Sequence, residues 1–243
     1  MSESPSLSER YQDHHSRSGR YGFSYRLGER GPQFALWIGV GVRVLDLGCR
    51  DGILTEHYVQ GNHVIGVDID PGALARARAR LGIETLDLDL NRASLPFDDA
   101  SFDAVVAGEV LEHLTDPRAV VTEACRVLKP AGVFVGSVPN SFHWRARLAF
   151  LQGFSIEDPT HLQQFSRKRL LALLQGFVSV EILPVGGIGG RRLPVLPGSL
   201  SESIIRKLPD WFANDWLFRA IKRSSEGQGT GGGHQVTPVE PGS

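Results

Sequence analysis

"VLDLGCRDG", residues 44 to 52, runs from an apolar strand through an acid into a turn marked by Gly48 and Gly52. A strand that ends in a glycine turn and feeds a helical pattern is one repeat of an alternating fold, and further repeats follow it. "HVIGVDI" (63 to 69), "IETLDL" (83 to 88), "FDAVVA" (102 to 107) and "GVFVGSV" (132 to 138) read as buried strands beside "VRVLDL" (42 to 47). Between them, 52 to 60 reads as a short helix, and "PGALARARARL" opens a second helix at Pro71. "PRAVVTEACRVL" (117 to 128) is apolar at Val120, Val121, Ala124, Val127 and Leu128, spacings that make one buried helical face. Strand and helix in alternation, joined by right-handed crossovers, give a doubly wound sheet whose ligands sit at the carboxyl ends of the strands. The quoted turn lies at such an end.

After Pro139 the rhythm breaks. "NSFHWRARLAFLQGF" and "SRKRLLALLQGF" read as helices with a turn-like "SIEDPTHLQQF" between them, an insertion at about 140 to 176. "VSVEILPV" and "DWLFRAIKR" then read as two strands forming an antiparallel pair at the sheet edge, with "GGIGGRRLPVLPG" as a loop between them. The aromatics of "LPDWFANDWLF", Trp211 and Phe212 among them, are expected in the core or a pocket wall. Residues 1 to 20 read as a flexible arm, 21 to 223 as one domain and 224 to 243 as a disordered tail.

Composition narrows the function classes without choosing one. The 243 residues carry 41% hydrophobic and 22% charged residues and a net charge of −1, which lacks the basic excess of a nucleic-acid surface. Cys49 and Cys125 have no metal-ligand spacing, so no metal site and no disulfide framework are expected, and a reducing cytoplasm fits. No apolar run reaches the roughly 18 residues of a membrane span, and the N-terminus lacks a signal-peptide core. The expected partner is a small molecule, with no nucleic acid or membrane, in a monomer or homodimer.

The chemistry begins with Asp68, which ends the second strand 20 residues after Gly48. An acid at that separation grips a ribose diol, because one carboxylate offers two acceptors to two vicinal hydroxyls. That fits a nicotinamide dinucleotide or another adenosyl cofactor, and the glycines separate them. A pyrophosphate needs G-x-G-x-x-G, whereas here only Cys49, Arg50 and Asp51 lie between Gly48 and Gly52. Asp46 would also repel a phosphate, while it would attract a cation. S-adenosylmethionine carries a sulfonium and an ammonium and no phosphate, so its charges suit this turn.

At this point the chain resembles the class I S-adenosylmethionine-dependent methyltransferases. "VLDLGCRDG" is similar to their first motif and "VIGVDID" to their acidic second strand. "LDLDLNRASLPFDDASFDAVVAGEVLEHLTDPRAVVTEACRVLKPAGVFVGSVPN" is similar to the rest of their core, in order. The resemblance covers about residues 40 to 140. It implies a Rossmann-like seven-stranded sheet, mostly parallel with an antiparallel C-terminal edge strand, and helices on both faces. It also implies S-adenosyl-L-methionine as cofactor and S-adenosyl-L-homocysteine as product.

Carried over by position, the resemblance implies that Asp46 and the backbone of Gly48, Cys49, Arg50 and Gly52 face the methionine part of the cofactor. Asp68 would hold the ribose and Ile69 would pack on adenine. Asp89, or else Asp87, would accept from the adenine amino group beside the backbone of Leu90. Ala107, Gly108 and Glu109 would close the pocket.

Within the family the chain as a whole is similar to the ubiquinone-biosynthesis and methionine-biosynthesis W type. Beyond the core, "SVPNSFHWRARLAFLQGF" and "EDPTHLQQFSRKRLLALLQGF" resemble, more loosely, the methionine-biosynthesis protein W group and methyltransferases found with glycan and natural-product biosynthesis. That places Asn140, His143, Arg147, His161 and Phe165 on a cover over the active site.

Methyl transfer is an in-line displacement, so the protein mainly aligns the acceptor and excludes water, and a base is needed only where the acceptor must lose a proton. Histidine titrates in the right range. Of eight histidines, His113, His143 and His161 are the candidates; His57 and His63 read as solvent-facing and His234 lies in the tail. Tyr11, His14, Tyr21 and Arg26 fall in a segment dense in aromatics and arginines that reads as a lid or as a polar arm. A methyltransferase for an oxygen of a sugar, lipid or natural-product intermediate is the first reading. The alternatives are an accessory protein that keeps the fold without transferring methyl groups, and a nicotinamide oxidoreductase.

Arg50 stands where the family usually has glycine. If that position demands a positive φ, arginine costs about 1 kcal/mol there. It either points outward to pair with Asp51 or Glu56, or its guanidinium meets the cofactor's carboxylate.

Overall fold

The structure is a computed structural model; it describes residues 8–9, 21–92, 94–155, 158, 160–186 and 198–224. The proposed lid residues Tyr11 and His14, the tail beyond 224 and most of the glycine-rich loop lie outside the described residues.

A seven-stranded sheet forms the centre. Its strands are β1 (Arg43–Leu47), β2 (His63–Asp68), β3 (Glu84–Asp87), β4 (Phe102–Gly108), β5 (Leu128–Pro139), β6 (Ser179–Val185) and β7 (Asp215–Ile221). Their spatial order is β3-β2-β1-β4-β5-β7-β6. The first five are parallel; β7 runs antiparallel between β5 and β6, so the antiparallel pair at the edge places β6 on the rim. The chain winds outward from β1 to β3 and returns to β4 beside β1, which opens a crevice above the carboxyl ends of β1 and β4.

Both sheet faces are buried, and side chains alternate between them. Leu45, Leu47, Ile65, Val67, Val105 and Ala107 enter one core, while Val44, Val64, Ala104, Val106 and Val135 enter the other. Helix α1 (Leu27–Ile38) covers the second core with Phe34, Trp37 and Ile38. Helix α2 (Pro71–Leu81) adds Ala77 to the same side. The other face is covered by α3 (Pro117–Val127), through Val120, Val121, Ala124 and Val127. The cover supplies α4 (Trp144–Leu151) and α5 (Arg167–Leu173), and α6 (Gly198–Lys207) with the single turn α7 (Pro209–Phe212) precedes β7.

Two helices start on an Asp-Pro pair. Asp70 accepts from the N–H groups of Gly72 and Ala73, and Asp116 from those of Arg118 and Ala119, each with proline in the first turn. A carboxylate there meets otherwise unpaired donors, and proline gives up an N–H that had no partner.

Two expectations change, and one helix appears that the sequence did not announce. Residues 52 to 60 form only a single 3-10 turn, Thr55–His57. The reason is local: Thr55 Oγ1 and Tyr58 OH, three residues apart, both donate to Asp46, and residues at i and i+3 eclipse in a 3-10 turn. Helix α1 begins where the segment read as lid or arm ends, and the sequence gives no helix there, because Gly28, Gly31 and Pro32 hide the apolar spacing of Phe34, Trp37 and Ile38. Trp211 is 46% exposed and lies under the Arg147 guanidinium, 4.1 Å from the ring centroid, so it is not a core residue; Trp216 takes the fully buried position.

Candidate active site

A cleft of about 640 Å³ opens over the crevice between β1 and β4. Its floor is the turn after β1. The N–H groups of Gly48 and Cys49 both donate to the carbonyl of Val67, at 2.7 and 3.1 Å, which folds the turn back over β2. Gly48 has φ +72°, and a Cβ there would come within 2.3 Å of Val110 Cγ2, so a side chain is excluded on two grounds.

Arg50 has φ +51°, the conformation in which glycine is cheap and arginine is not. Its N–H donates to Asp68 Oδ2 at 2.9 Å, which joins the turn to the end of β2. The guanidinium pairs with Asp51 at 3.3 Å and donates to the carbonyl of Phe23. Asp51 is the partner expected from the sequence; Glu56 instead pairs with Arg80 on α2. Gly22 N–H donates to Asp51 Oδ2 at 2.5 Å, so Arg50 and Asp51 together hold the chain before α1 against the turn. Tyr21 donates to Asp70 Oδ2 at 2.9 Å, with Arg76 over its ring at 4.4 Å, and so braces the start of α2 outside the cleft.

Carboxylates dominate this end. Asp46 shares a sheet face with Val44, so its side chain points into the second core, where Thr55 and Tyr58 donate to it at 2.6 and 2.7 Å. Burial pushes its pKa up to about 6, against the pull of the two hydroxyls. Asp68 accepts from Arg50 N–H with one oxygen and from Asp70 N–H, at 2.9 Å, with the other. Asp89 lines the cleft beyond β3, beside Leu88, Leu90 and Asn91, while Asp87 is exposed and lies away from it. Burial also raises the Cys49 thiol, which keeps it protonated.

The opposite wall is built on the exit of β4. Glu109 accepts from Ser137 Oγ at 2.7 Å and pairs with Arg30 at 3.4 Å; Arg30 is 2% exposed and also donates to Ser24 Oγ and the carbonyl of Tyr25. Arg26 pairs with Asp215 at 2.7 Å, and burial, followed by the charge of Glu109, pushes Asp215 up to about 7. Next comes the 3-10 turn Leu111–His113. Glu112 is fully buried, its two carboxylate oxygens have no hydrogen-bond partner, and burial raises its pKa well above the usual range. His113 lies beside it, with burial lowering its pKa to about 4.

The cover meets this wall through backbone. Leu162 and Gln163 N–H donate to the Glu112 carbonyl at 2.8 and 2.9 Å, and the Thr160 carbonyl faces His113 Nδ1 at 3.1 Å. His161 packs edge-on against His113, with ring centroids 5.0 Å apart.

The cleft therefore gathers Asp46, Gly48, Cys49, Arg50, Asp68, Ile69, Asp89, Leu90, Gly108, Glu109, His113, His161, Asn140, His143 and Arg26 from the sequence reading. Gly52 does not line it: the glycine packs under α2, where a Cβ would meet Leu81 Cδ1 at 2.6 Å. Ala107 falls on the buried side of the strand alternation and belongs to the core. Phe165 is 1% exposed and is likewise a core residue, because its backbone pairs with Ser141 and turns the ring inward. Arg147 lies on the outer surface between the Phe142 carbonyl and Trp211. Asn140 lines the cleft, yet its side chain is committed to backbone, donating to the Ala213 carbonyl and accepting from Phe142 N–H. The reading from sequence missed Arg30, Glu112 and Asp215. Only Glu112 had a local signal, an acid beside His113 directly after a strand exit.

Residues 45–136 match the family described as Methyltransferase domain. A protein of Mycolicibacterium smegmatis named "Probable S-adenosylmethionine-dependent methyltransferase" is 37% identical over 150 residues, 60% of this chain and 55% of that one. A Mycobacterium tuberculosis protein of the same name is 33% identical over 165 residues, 67% of this chain and 57% of that one. The "Ubiquinone biosynthesis O-methyltransferase" of Hahella chejuensis is 38% identical over 112 residues, 42% and 47% of the two chains. This chain thus spans about half the length of the curated relatives it matches. Among solved structures, a S-adenosylmethionine-dependent methyltransferase from Thermotoga maritima superposes with TM-score 0.64 at 18% identity, over 90% of this chain and 100% of that one. One from Archaeoglobus fulgidus gives 0.58 at 20% identity, over 88% and 94%. At such identities these two speak for the fold. Among the described residues, no helix is long and apolar enough to cross a membrane.

Proposed function

We propose that this chain, which carries a class I S-adenosylmethionine-dependent methyltransferase domain, transfers a methyl group from that cofactor to an oxygen of a small-molecule acceptor. The observation that carries the reading is the division of one cleft into two ends: a glycine turn among Asp46, Asp68 and Asp89, and a wall bearing His113, His143 and His161. The acidic end fits the cofactor. A pyrophosphate would meet those carboxylates, and Arg50 is already engaged with Asp51 and Phe23, whereas a ligand with an ammonium and a sulfonium gains from them.

In this reading Asp68 receives the ribose hydroxyls, because each of its oxygens carries one backbone donor and keeps acceptor capacity. Asp46 and the backbone of Gly48 and Cys49 face the methionine part, Ile69 packs on adenine, and Asp89 with the backbone of Leu90 takes the ring's polar edge. Gly108 and Glu109 close the pocket beside the methionyl end. Bound S-adenosylmethionine supplies a methyl group on a positively charged sulfur; displacement by the acceptor oxygen leaves the C–S electron pair on sulfur. His113 is too weak a base at neutral pH for proton abstraction, so it positions the acceptor together with His161. His143, whose ring lines the same end, takes the hydroxyl proton at a ring nitrogen. Oxygen as the acceptor atom is supported by the names of the O-methyltransferase relatives. The acceptor in this reading is a sugar, lipid or natural-product intermediate of cytoplasmic biosynthesis, a class with apolar and hydroxyl-bearing parts that suits a lining where Val110, Leu114 and Ala146 stand among Ser141 and the three histidines.

The test is transfer of labelled methyl from S-adenosylmethionine to a panel of hydroxylated acceptors. Incorporation that falls at least 100-fold in His143→Ala, with cofactor affinity retained, supports the reading. Methylation confined to nitrogen or carbon acceptors, or unaffected by that substitution, contradicts it.

A further inference from the structure

We propose that Glu112, His113 and His161 form a binding site for a first-row divalent cation at the acceptor end of the cleft. Spacing in the sequence gives no hint of it, since His161 lies in the cover, far along the chain from His113.

The ligand atoms these three residues offer all lie within 4.8 Å of one another. Ligands held at about 2.1 Å from one metal ion are some 3 to 3.5 Å apart, so closing the site takes side-chain adjustment of about an ångström. His113 is already set for ligation. Its Nδ1 faces the Thr160 carbonyl, which can only accept, so Nδ1 carries the proton and Nε2 presents its lone pair. Histidine ligands usually donate their other N–H in this way, which fixes tautomer and ring orientation. Nε2 stands 3.9 Å from Glu112 Oε1.

Glu112 supplies the independent sign. A fully buried carboxylate with neither oxygen hydrogen-bonded is unusual, because burial without a partner is costly and native interiors avoid it. A cation between Glu112 and the imidazoles provides the missing partner. Glu109, paired with Ser137 and Arg30, adds a second negative charge to the same wall.

The frame that presents the ligands holds without the ion. Leu162 and Gln163 N–H are bound to the Glu112 carbonyl, and Asp158 Oδ1 accepts from Thr160 N–H and Oγ1 in the turn before His161. Two imidazoles and one carboxylate suit Mn²⁺, Fe²⁺, Co²⁺ or Zn²⁺ better than Ca²⁺, and three protein ligands leave positions open toward the cleft. If the chain methylates an oxygen, as proposed above, those positions take the acceptor's hydroxyl and lower its pKa, so that the proton passes to His143 more readily.

The experiment uses the full chain, freed of metal by chelator and without cofactor or acceptor, so it stands apart from the methyl-transfer reading. Mn²⁺ is titrated and followed by electron paramagnetic resonance and by thermal melting. One Mn²⁺ per chain, with a rise in melting temperature, is expected. Glu112→Gln and His161→Asn should each weaken binding at least tenfold. Glu112→Gln also reports on folding: without metal it should melt no lower than the parent, because it removes the unpaired buried carboxylate, and it should lose the Mn²⁺-induced rise. Failure of the parent to bind Mn²⁺ at millimolar concentration, or binding that survives both substitutions, overturns the site.

Discussion

His113 Nδ1 lies 3.1 Å from the carbonyl oxygen of Thr160, a contact between residues 47 positions apart that joins the exit of β4 to the cover. The contact fixes the imidazole's tautomer and brings His161 beside it, so the acceptor end of the cleft depends on where the cover sits. The cofactor end depends instead on the turns that leave β1 and β2.

Asp46 makes that end sensitive to pH. Its folded pKa of about 6 exceeds the unfolded value, so the stability it contributes is fully present below about pH 4 and is lost as pH rises through 6. Above that, the buried charge costs about 3 kcal/mol in the cofactor-free protein. Asp46→Asn keeps an acceptor for Thr55 and Tyr58 and should be more stable than the parent at pH 8 by up to that amount, with the gap closing near pH 4. Denaturant melts at both pH values decide; an equal gap at the two means the carboxylate is not the cause.

Asp68→Asn keeps one acceptor and loses the charge. Charge-assisted hydrogen bonds contribute about 1.5 to 3 kcal/mol, so S-adenosylmethionine affinity should fall roughly 10- to 100-fold. Asp87→Asn serves as the comparison and should change affinity less than threefold, since Asp87 lies outside the cleft. Similar losses in both variants would move the ribose contact away from Asp68.

Arg50→Gly trades strain for contacts. Glycine relieves a φ of +51°, worth about 1 kcal/mol, while the bonds to Asp51 and the Phe23 carbonyl are lost. Stability should stay within about 1 kcal/mol of the parent, and hydrogen exchange should quicken over residues 21–26, which Arg50 helps to hold. A loss of cofactor affinity beyond tenfold would instead assign the guanidinium to the ligand's carboxylate.

Two glycines separate strain from close approach. Gly82 has φ +67° with open space around it, so Gly82→Ala should cost about 1 kcal/mol. Gly48→Ala adds a methyl 2.3 Å from Val110 Cγ2 to a similar strain and should cost clearly more, together with cofactor affinity. Equal melting temperatures for the two variants would contradict the packing described for the turn.

The sheet and the cofactor end were legible because their signals are local. Each strand is a short apolar run, and Gly48, Asp68 and Asp89 sit at or just past strand ends, where the sequence order alone places them. The burial of Asp46 was not legible, since it depends on Thr55 and Tyr58 making a 3-10 turn in place of a helix. Arg30 was hidden in a helix masked by Gly28, Gly31 and Pro32. Phe165 and Arg147 were assigned to the cleft because they belong to the cover, and the structure turns one inward and the other outward. The grouping of Glu112, His113 and His161 comes from tertiary contact between segments that no spacing rule connects.

Calorimetric titration of the chain with S-adenosylmethionine, S-adenosylhomocysteine and NAD tests the central claim most directly. Saturable binding of the first two at one site per chain, weakened by Asp68→Asn, and no heat from NAD is the predicted result. Saturable NAD binding with no response to either sulfur compound would contradict it.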